Sequence, residues 1–382
     1  MKKMLVGHLS DSHLGAMPYN KREREEDFYE SFNEAIDVMI KEGVKLVIHA
    51  GDVFDVPKPQ GTALVKLVDA LKKLKERNIK FVFTMGEHDI SRLYTIPSPL
   101  LYQHVDLATY IGDGKPREIV DGLTVVGFHK RRKDEVDELK EKLSALDELL
   151  NGQAGKKVLV LHQGLYEFHK FAGEISSNDL PTGFDYYAMG HLHDRFDKRF
   201  ERLKGPVCYP GSLDATTSEG IREFHKGFYI VDFSSQEASY QWVELNSTRK
   251  HYSIQVDYGQ LETKVSEIIS EIKDLKKKPM INLLVKGEEV ERARVASLLR
   301  SLETYSLYYQ WEVEEKPVSA EKDFSERPAD IQQEMLNITE KILGSREAAV
   351  LVIKEILPLL SQDNIEEATN IFWKYFEEKR RI

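Results

Sequence analysis

Met4-Leu5-Val6-Gly7-His8-Leu9 runs directly into Ser10-Asp11-Ser12-His13. The apolar run reads as a buried strand. Asp11-x-His13 has a spacing of two, which on an extended segment points the carboxylate and the imidazole to one face. One Asp-x-His is weak evidence, but the arrangement recurs. The run Val44–Ala50 ends in Gly51-Asp52-Val53-Phe54-Asp55, and Phe81–Met85 ends in Gly86-Glu87-His88-Asp89. Val158–Leu161 ends in His162, and Tyr186–Met189 ends in Gly190-His191-Leu192-His193. Five strands thus deliver metal-type ligands at their carboxyl ends, the edge where layered α/β sheets bind ligands.

Bulk composition sets bounds. At 382 residues, with 41% hydrophobic residues, the chain is long enough for two or three domains with real cores. The net charge of -10 argues against coating nucleic acid by bulk electrostatics, though not against local contact. Charged residues make up 31% of the chain, a composition that leans toward thermophily. Cys208 is the only cysteine, which excludes an intrachain disulfide and fits a reducing compartment. His8, Ser10 and Asp11 interrupt the first apolar run too early for a signal peptide, and no apolar segment reaches transmembrane length. The expected location is the cytoplasm.

Phe28, Phe32, Ala35, Ile36, Met39 and Ile40 keep helical spacing up to Gly43, and Leu64, Leu67, Val68, Leu71 and Leu74 form a second helical stripe. The β-α-β-α-β start implies parallel strands with helices packed on them. A short helix is expected over 97–105, and a charged helix from the basic run Lys130-Arg131-Arg132-Lys133 to about Leu150. Alternating residues near 207–209, 228–233 and 239–243 suggest antiparallel strands. From about 250 to 313 the order is strand, helix, strand, helix, strand, with Tyr305 opening the last strand. Residues 315–328 are polar and contain two prolines. Helices follow: one stripe through Ile331, Met335, Ile338 and Ile342, a second helix over Glu347–Leu360 disturbed by Pro358, and a third opened by a capping box at Asp363.

Imidazole and carboxylate ligands suit manganese, iron or zinc. Asp11, His13, Asp52, Glu87, His162, His191 and His193 give seven side chains, more than one four-coordinate site needs. Seven suit two ions about 3.5–4 Å apart, with a bridging carboxylate, for which Asp52 is the natural choice. Such a pair acidifies water and clamps the oxygens of a phosphate, so phosphoester hydrolysis is the favoured chemistry. His88 is placed to hold the phosphate or to protonate the leaving oxygen.

The five motifs resemble the calcineurin-like metallophosphoesterase superfamily. Arg24-Glu25-Glu26-Asp27-Phe28, Leu161-His162-Gln163-Gly164, Asp185–His191, Tyr209-Pro210-Gly211-Ser212-Leu213 and Lys226–Val231 further resemble the Mre-eleven (SbcD-type) DNA repair nucleases. The resemblance implies an α/β fold: a layered mixed-sheet metallophosphoesterase domain over 1–248, then a small α/β DNA-capping domain over 249–316. A linker at 317–328 and a helical partner-binding region at 329–382 complete it. It implies two manganese ions per subunit, exonuclease and single-strand endonuclease action on DNA ends, a homodimer, and a Rad-fifty type coiled-coil ATPase as partner. The rivals are a small-molecule phosphoesterase of the same superfamily and a weakly active scaffold.

Two departures stand out. The family usually has Asn where this chain has Glu87, so a charge is added beside the ions, implying tighter metal binding and slower turnover. It usually has His at Asp55, a position tied to exonuclease action, which makes Asp55 a second candidate catalytic residue. Lys21, Arg22 and Arg24 are candidate DNA contacts beside the first motif, and Lys130–Lys133 is either a DNA contact or a solvated helix start. Ile371, Phe372, Trp373, Tyr375 and Phe376 are the candidate anchor for the ATPase, since aromatics dominate binding hot spots.

Overall fold

A computed structural model describes residues 3–91, 96–120, 122–315, 331–361 and 365–380. It divides into two compact units, Met1–Lys316 and Pro317–Ile382. The first opens with β1 (Leu5–Leu9), α1 (Arg22–Glu42), β2 (Leu46–Ala50), α2 (Gly61–Glu76) and β3 (Lys80–Thr84). Next come α3 (Leu100–His104), β4 (Thr109–Tyr110), β5 (Arg117–Val120), β6 (Leu123–Phe128), α4 (Val136–Ser144), α5 (Leu146–Leu149) and β7 (Lys156–His162). β8 (Tyr186–Gly190), β9 (Phe196–Lys198), β10 (Val207–Tyr209), β11 (Gly227–Asp232) and β12 (Ser239–Glu244) complete this part.

The strands form two six-stranded sheets, ordered β12-β11-β1-β2-β3-β4 and β5-β6-β7-β8-β10-β9. β1, β2 and β3 are parallel neighbours in the first, and β7 and β8 in the second. Val6, Leu46, Ile48, Val82, Val125, Val158, Val160 and Ala188 fill the space between the sheets. The alternate residues face outward, where Leu9, Val47 and Phe83 pack on Phe32, Ile36, Met39, Leu67 and Leu71 of α1 and α2. Leu159, Leu161 and Tyr187 meet Leu139, Leu143 and Leu146 on the other side. Both faces of each sheet are covered, which is why the ligand-bearing runs read as continuously apolar. Each such side chain contributes roughly 1.5–3 kcal/mol of burial. That core holds five strand ends at one edge.

The helix expected over 97–105 occupies only Leu100–His104, and the one expected to reach Leu150 breaks at Ala145 between α4 and α5. β13 (His251–Asp257), α6 (Leu261–Ile272), β14 (Met280–Gly287), α7 (Arg292–Leu299), α8 (Leu302–Tyr305) and β15 (Tyr308–Glu315) follow. Their three strands are parallel, in chain order. Tyr305 closes a helical turn rather than opening the strand. This module is fastened to α1. Arg249 donates to both Asp27 oxygens at 2.7 and 3.0 Å, and Lys277 Nζ lies 3.0 Å from Asp27.

Arg24 corrects the expectation of a DNA contact. It is fully buried, with Nη1 2.6 Å from Asp27 and Nη2 2.6 Å from Asp214. Arg beside a site motif looks the same in sequence whether it meets a phosphate or a buried carboxylate. Of the other two candidates, Arg22 is exposed and Lys21 half-buried.

The second unit holds α9 (Ile331–Leu343), α10 (Arg346–Leu351), a π-helical turn (Val352–Ile356), α11 (Leu357–Ser361) and α12 (Ile365–Arg380). The single helix expected over 347–360 is interrupted because Pro358 has no N–H to donate, and a π turn precedes it. The 317–328 linker and the Asp363 cap lie outside the described residues. Phe372, Trp373 and Phe376 are exposed and pack on one another, with centroids 5.7–6.5 Å apart. Ile371 and Tyr375 are half-buried. Among the described residues no helix is long and apolar enough to cross a membrane.

Arg24→Ala would leave Asp214 buried without its cation. We expect it to cost about 3–5 kcal/mol, read as a lower urea midpoint at unchanged slope. A loss under about 1 kcal/mol would show that the buried pair is dispensable.

Candidate metal centre

Backbone strain is concentrated where the sequence motifs meet. Asp11, His13, Asp52 and His191 have φ of 50°, 41°, 53° and 94°, four of the nine non-glycine residues at positive φ among those described. Such residues cluster at functional sites because each costs of order 1–3 kcal/mol. The segment after β1 is therefore not extended. Asp11 and His13 converge through a left-handed turn rather than through the pleat. Hydrogen bonds from Asp11 N to Gly51 O (2.9 Å) and from His13 N to Asp52 O (3.1 Å) clip the first motif to the second. The glycine of Gly86-Glu87 is sterically required, since a Cβ there would collide with Asp52 Oδ1 and crowd His162 Nε2. At Gly190 a Cβ would strike the Ala50 carbonyl.

The seven expected ligands come together as two groups of three with Asp52 between them. Asp11, His13 and His193 form one, with His13 Nε2 3.2 Å from His193 Nε2 and His193 Nε2 3.9 Å from Asp11 Oδ1. Glu87, His162 and His191 form the other, with Glu87 oxygens 2.9 Å from both His162 Nε2 and His191 Nδ1. Asp52 lies between them, 3.9 Å from His13 Nε2 and 3.3 Å from His162 Nε2.

His162 tests whether a cation fits. Its Nδ1 is 2.7 Å from the Ala50 carbonyl, which selects the tautomer with the proton on Nδ1. Nε2 is buried, 2.9 Å from Glu87 Oε2 and 3.3 Å from Asp52 Oδ2. Its lone pair then faces the Asp52 and Glu87 oxygens. Only a proton or a metal ion converts that repulsion into attraction. Burial disfavours the charged imidazole, but the Asp52 and Glu87 carboxylates override it and hold the His162 imidazolium well above its ordinary range. Burial likewise opposes ionisation of Asp52, yet His162 and His13 pull its carboxyl down to about 2. Glu87 is held far below the usual carboxylate range by His162 and His191, against its burial.

Supporting groups fix each imidazole. Asp55 Oδ1 is 3.3 Å from His13 Nδ1, on the opposite side of the ring from Nε2. Asp55 thus stands beside a candidate ligand, and its carbonyl lies 2.7 Å from His88 Nδ1. Glu219 Oε2 is 3.2 Å from His193 Nδ1, and Lys226 balances that carboxylate. A carboxylate behind a ligating imidazole fixes its orientation and raises its basicity. Burial opposes charge on His193 too, but Glu219 and Asp11 raise it. Thr216-x-x-Glu219 has the spacing of a capping box, the one sequence signal that could have flagged Glu219. Asp89 was also missed. It is buried and accepts from the N–H groups of Val53, Phe54 and Gly86 at 3.1–3.2 Å, stitching the third motif to the second. His88 is exposed, its backbone N–H donating to Asp52 Oδ1 at 2.9 Å and its Nδ1 lying 2.7 Å from Asp55 O. Partial burial lowers the His88 pKa, but Asp52 and the Asp55 carbonyl raise it above the ordinary histidine value.

Comparison with known proteins agrees with this geometry. Residues 4–195 match the model of the calcineurin-like phosphoesterases, which places the chain among metal-dependent phosphodiester hydrolases. The chain is 32% identical to the DNA double-strand break repair protein Mre11 of Saccharolobus solfataricus, over 79% of its own length and 80% of that protein. It is 29% identical to the Mre11 proteins of Sulfurisphaera tokodaii, over 94% of this chain and 93% of that one, and of Methanocaldococcus jannaschii, over 97% and 98%. The chain belongs to the Mre11 family of DNA double-strand break repair proteins.

Protons on His162 and His193 occupy nitrogens that a divalent ion needs. Their stabilisation of the metal-free fold is complete below the ordinary histidine value and is lost as pH rises through their raised values. Ion binding therefore strengthens with pH. We expect the melting-temperature gain on adding Mn²⁺ to grow by several degrees from about pH 6 to about pH 8.5, measured by scanning fluorimetry. A gain that is flat or shrinks with pH would contradict this assignment of the protons.

Proposed function

We propose that the chain is a manganese-dependent nuclease that processes DNA ends in double-strand-break repair, as an exonuclease and as an endonuclease on single strands. The observation that carries this is the buried His162 Nε2 set between the Asp52 and Glu87 carboxylates, with Asp52 standing between two groups of metal-type ligands. The kinship over most of the chain with Mre11 repair proteins supports DNA as substrate. Iron or zinc are the other ions this donor set accepts.

Asp11, His13, Asp52 and His193 would hold one ion, and Asp52, Glu87, His162 and His191 the other. When bound, two such ions lower the pKa of a water and stabilise the charge of an in-line displacement at phosphorus. The chain's own residues do the rest. Asp52 sets the spacing of the two groups. Asp55 and Glu219 hold His13 and His193 with Nε2 inward. His88, fixed through Nδ1 to the Asp55 carbonyl and favoured in its charged form, binds the phosphate and delivers a proton to the leaving oxygen from Nε2.

In this reading residues 1–248 form the catalytic domain and 249–316 a cap over DNA, with 317–328 linking to the partner-binding helices of 329–382. Two copies associate through catalytic-domain helices. The exposed cluster of Phe372, Trp373 and Phe376 is the anchor for a Rad-fifty type ATPase, because monomers seldom expose such aromatics together. Lys21 and Arg22 remain the candidate backbone contacts.

The test is Mn²⁺-dependent cleavage of single-stranded circular and blunt duplex DNA by the purified chain. We expect cleavage of both, and His88→Ala to reduce it about 10²–10⁴-fold with Mn²⁺ binding retained. Bound Mn²⁺ with no cleavage, alone or with the ATPase, would replace the enzyme reading with a scaffold. Turnover of aryl phosphodiesters but not DNA would replace the substrate.

A further inference from the structure

The four candidate imidazoles do not have equivalent partners. His13 and His193 are backed by Asp55 and Glu219, and His162 by a carbonyl. His191 is backed by a cation. Lys130 Nζ lies 3.2 Å from His191 Nε2 and 3.8 Å from Glu87 Oε2. The ammonium is 9% exposed, so it is not the surface phosphate contact that its place in a basic run suggests. It is fixed from two directions. Its backbone N–H donates to Met85 O at 2.8 Å, in the strand end that carries Glu87. Its Nζ is 2.7 Å from Glu174 Oε2, which also accepts from Gln163 Nε2 and Gly164 N.

We propose that Lys130 and Glu174 are opposed positioning residues that set the affinity of the Glu87–His162–His191 site, making it the weaker and second-filled of the two. The ammonium is within hydrogen-bond reach of Glu174 and His191 and within ion-pair distance of Glu87. An ion at this site takes Glu87 and His191 for itself and leaves a positive charge facing a doubly positive one. The Coulomb term between them is unfavourable, and only Glu174 offsets it. Lys130 thus works against the second ion and Glu174 works for it. The added charge of Glu87, taken alone, would bind an ion more tightly. Lys130 cancels part of that gain, which lets the site release and rebind its ion. At the first site Lys226 is already paired with Glu219.

The inference rests on the two-ion reading, and one titration separates the two. Metal-stripped full-length chain is titrated with Mn²⁺ by calorimetry, while electron paramagnetic resonance follows the spin-coupled pair that forms only when both sites fill. In wild type we expect two events. Lys130→Met should tighten the second about tenfold, Glu174→Gln should weaken it about tenfold, and the double variant should return close to wild type. The first event should not move. Lys130→Arg, which keeps the charge, should leave the second event unchanged and serves with Lys130→Gln if Lys130→Met does not fold. Weakening by both Lys130→Met and Glu174→Gln would mean a merely structural pair and would overturn the proposal, as would no change in either. Absence of any second event in wild type would overturn the two-ion reading itself.

Discussion

Asp52 is 1% exposed and stands between two groups of metal-type ligands. A buried carboxylate is tolerated only when opposite charge and hydrogen bonds surround it, since its desolvation costs several kcal/mol. The imidazoles of His162 and His13 and the backbone N–H of His88 answer that requirement. Each of those groups comes from a different strand end. The architecture follows: two sheets face each other so that β1, β2 and β3 from one, and β7 and β8 from the other, end at the same place. A single open sheet would spread five adjacent ends over about 19 Å, at the usual strand spacing of about 4.8 Å. Stacking two sheets about 10 Å apart folds that row into a cluster.

The local cost is visible beside it. Left-handed backbone at Asp11, His13, Asp52 and His191 persists only because the surrounding structure over-determines it. Asp89 shows how. Its buried carboxyl, raised to about 7 by burial and by the charge of Asp52, still gathers three backbone N–H groups from two motifs. Asp27 does similar work further out, where Arg24, Arg249 and Lys277 converge on it and join α1 to the following module. The same device, a carboxylate shared by several donors, serves both the centre and its supports.

The candidate ligands were legible because each sits at the end of an apolar run, so residue type and strand end are read together from one short stretch. The sandwich was less so, because an alternating or apolar run does not say which sheet it joins. Arg24 was misread because Asp27, three residues on, gives no sign that the pair is buried, and the other partner, Asp214, is 190 residues away. Glu219 approaches the His193 imidazole, and Glu174 the Lys130 ammonium, from segments whose composition is ordinary. Lys130 was hidden by its neighbours, since one buried member of a run of four basic residues looks like the other three. The π turn before Pro358 reflects local backbone accommodation that helical periodicity cannot express.

The two departures from the resembling family's usual residues also look different in three dimensions. Read as sequence, Glu87 and Asp55 simply add negative charge to an ion-binding cleft. In the structure each has an imidazole or ammonium against it: His162, His191 and Lys130 at Glu87, and His13 at Asp55. Asp55 lies behind its histidine, where a carboxylate strengthens a ligand. Glu87 lies among the ligands, where an unbalanced carboxylate would hold an ion too firmly for exchange. Lys130 is the cation found against it. A substitution at position 87 therefore cannot be read by itself. Its effect depends on whether Lys130 is left facing a carboxylate, an amide or an ion, and Glu174 decides how much of that charge remains to be felt.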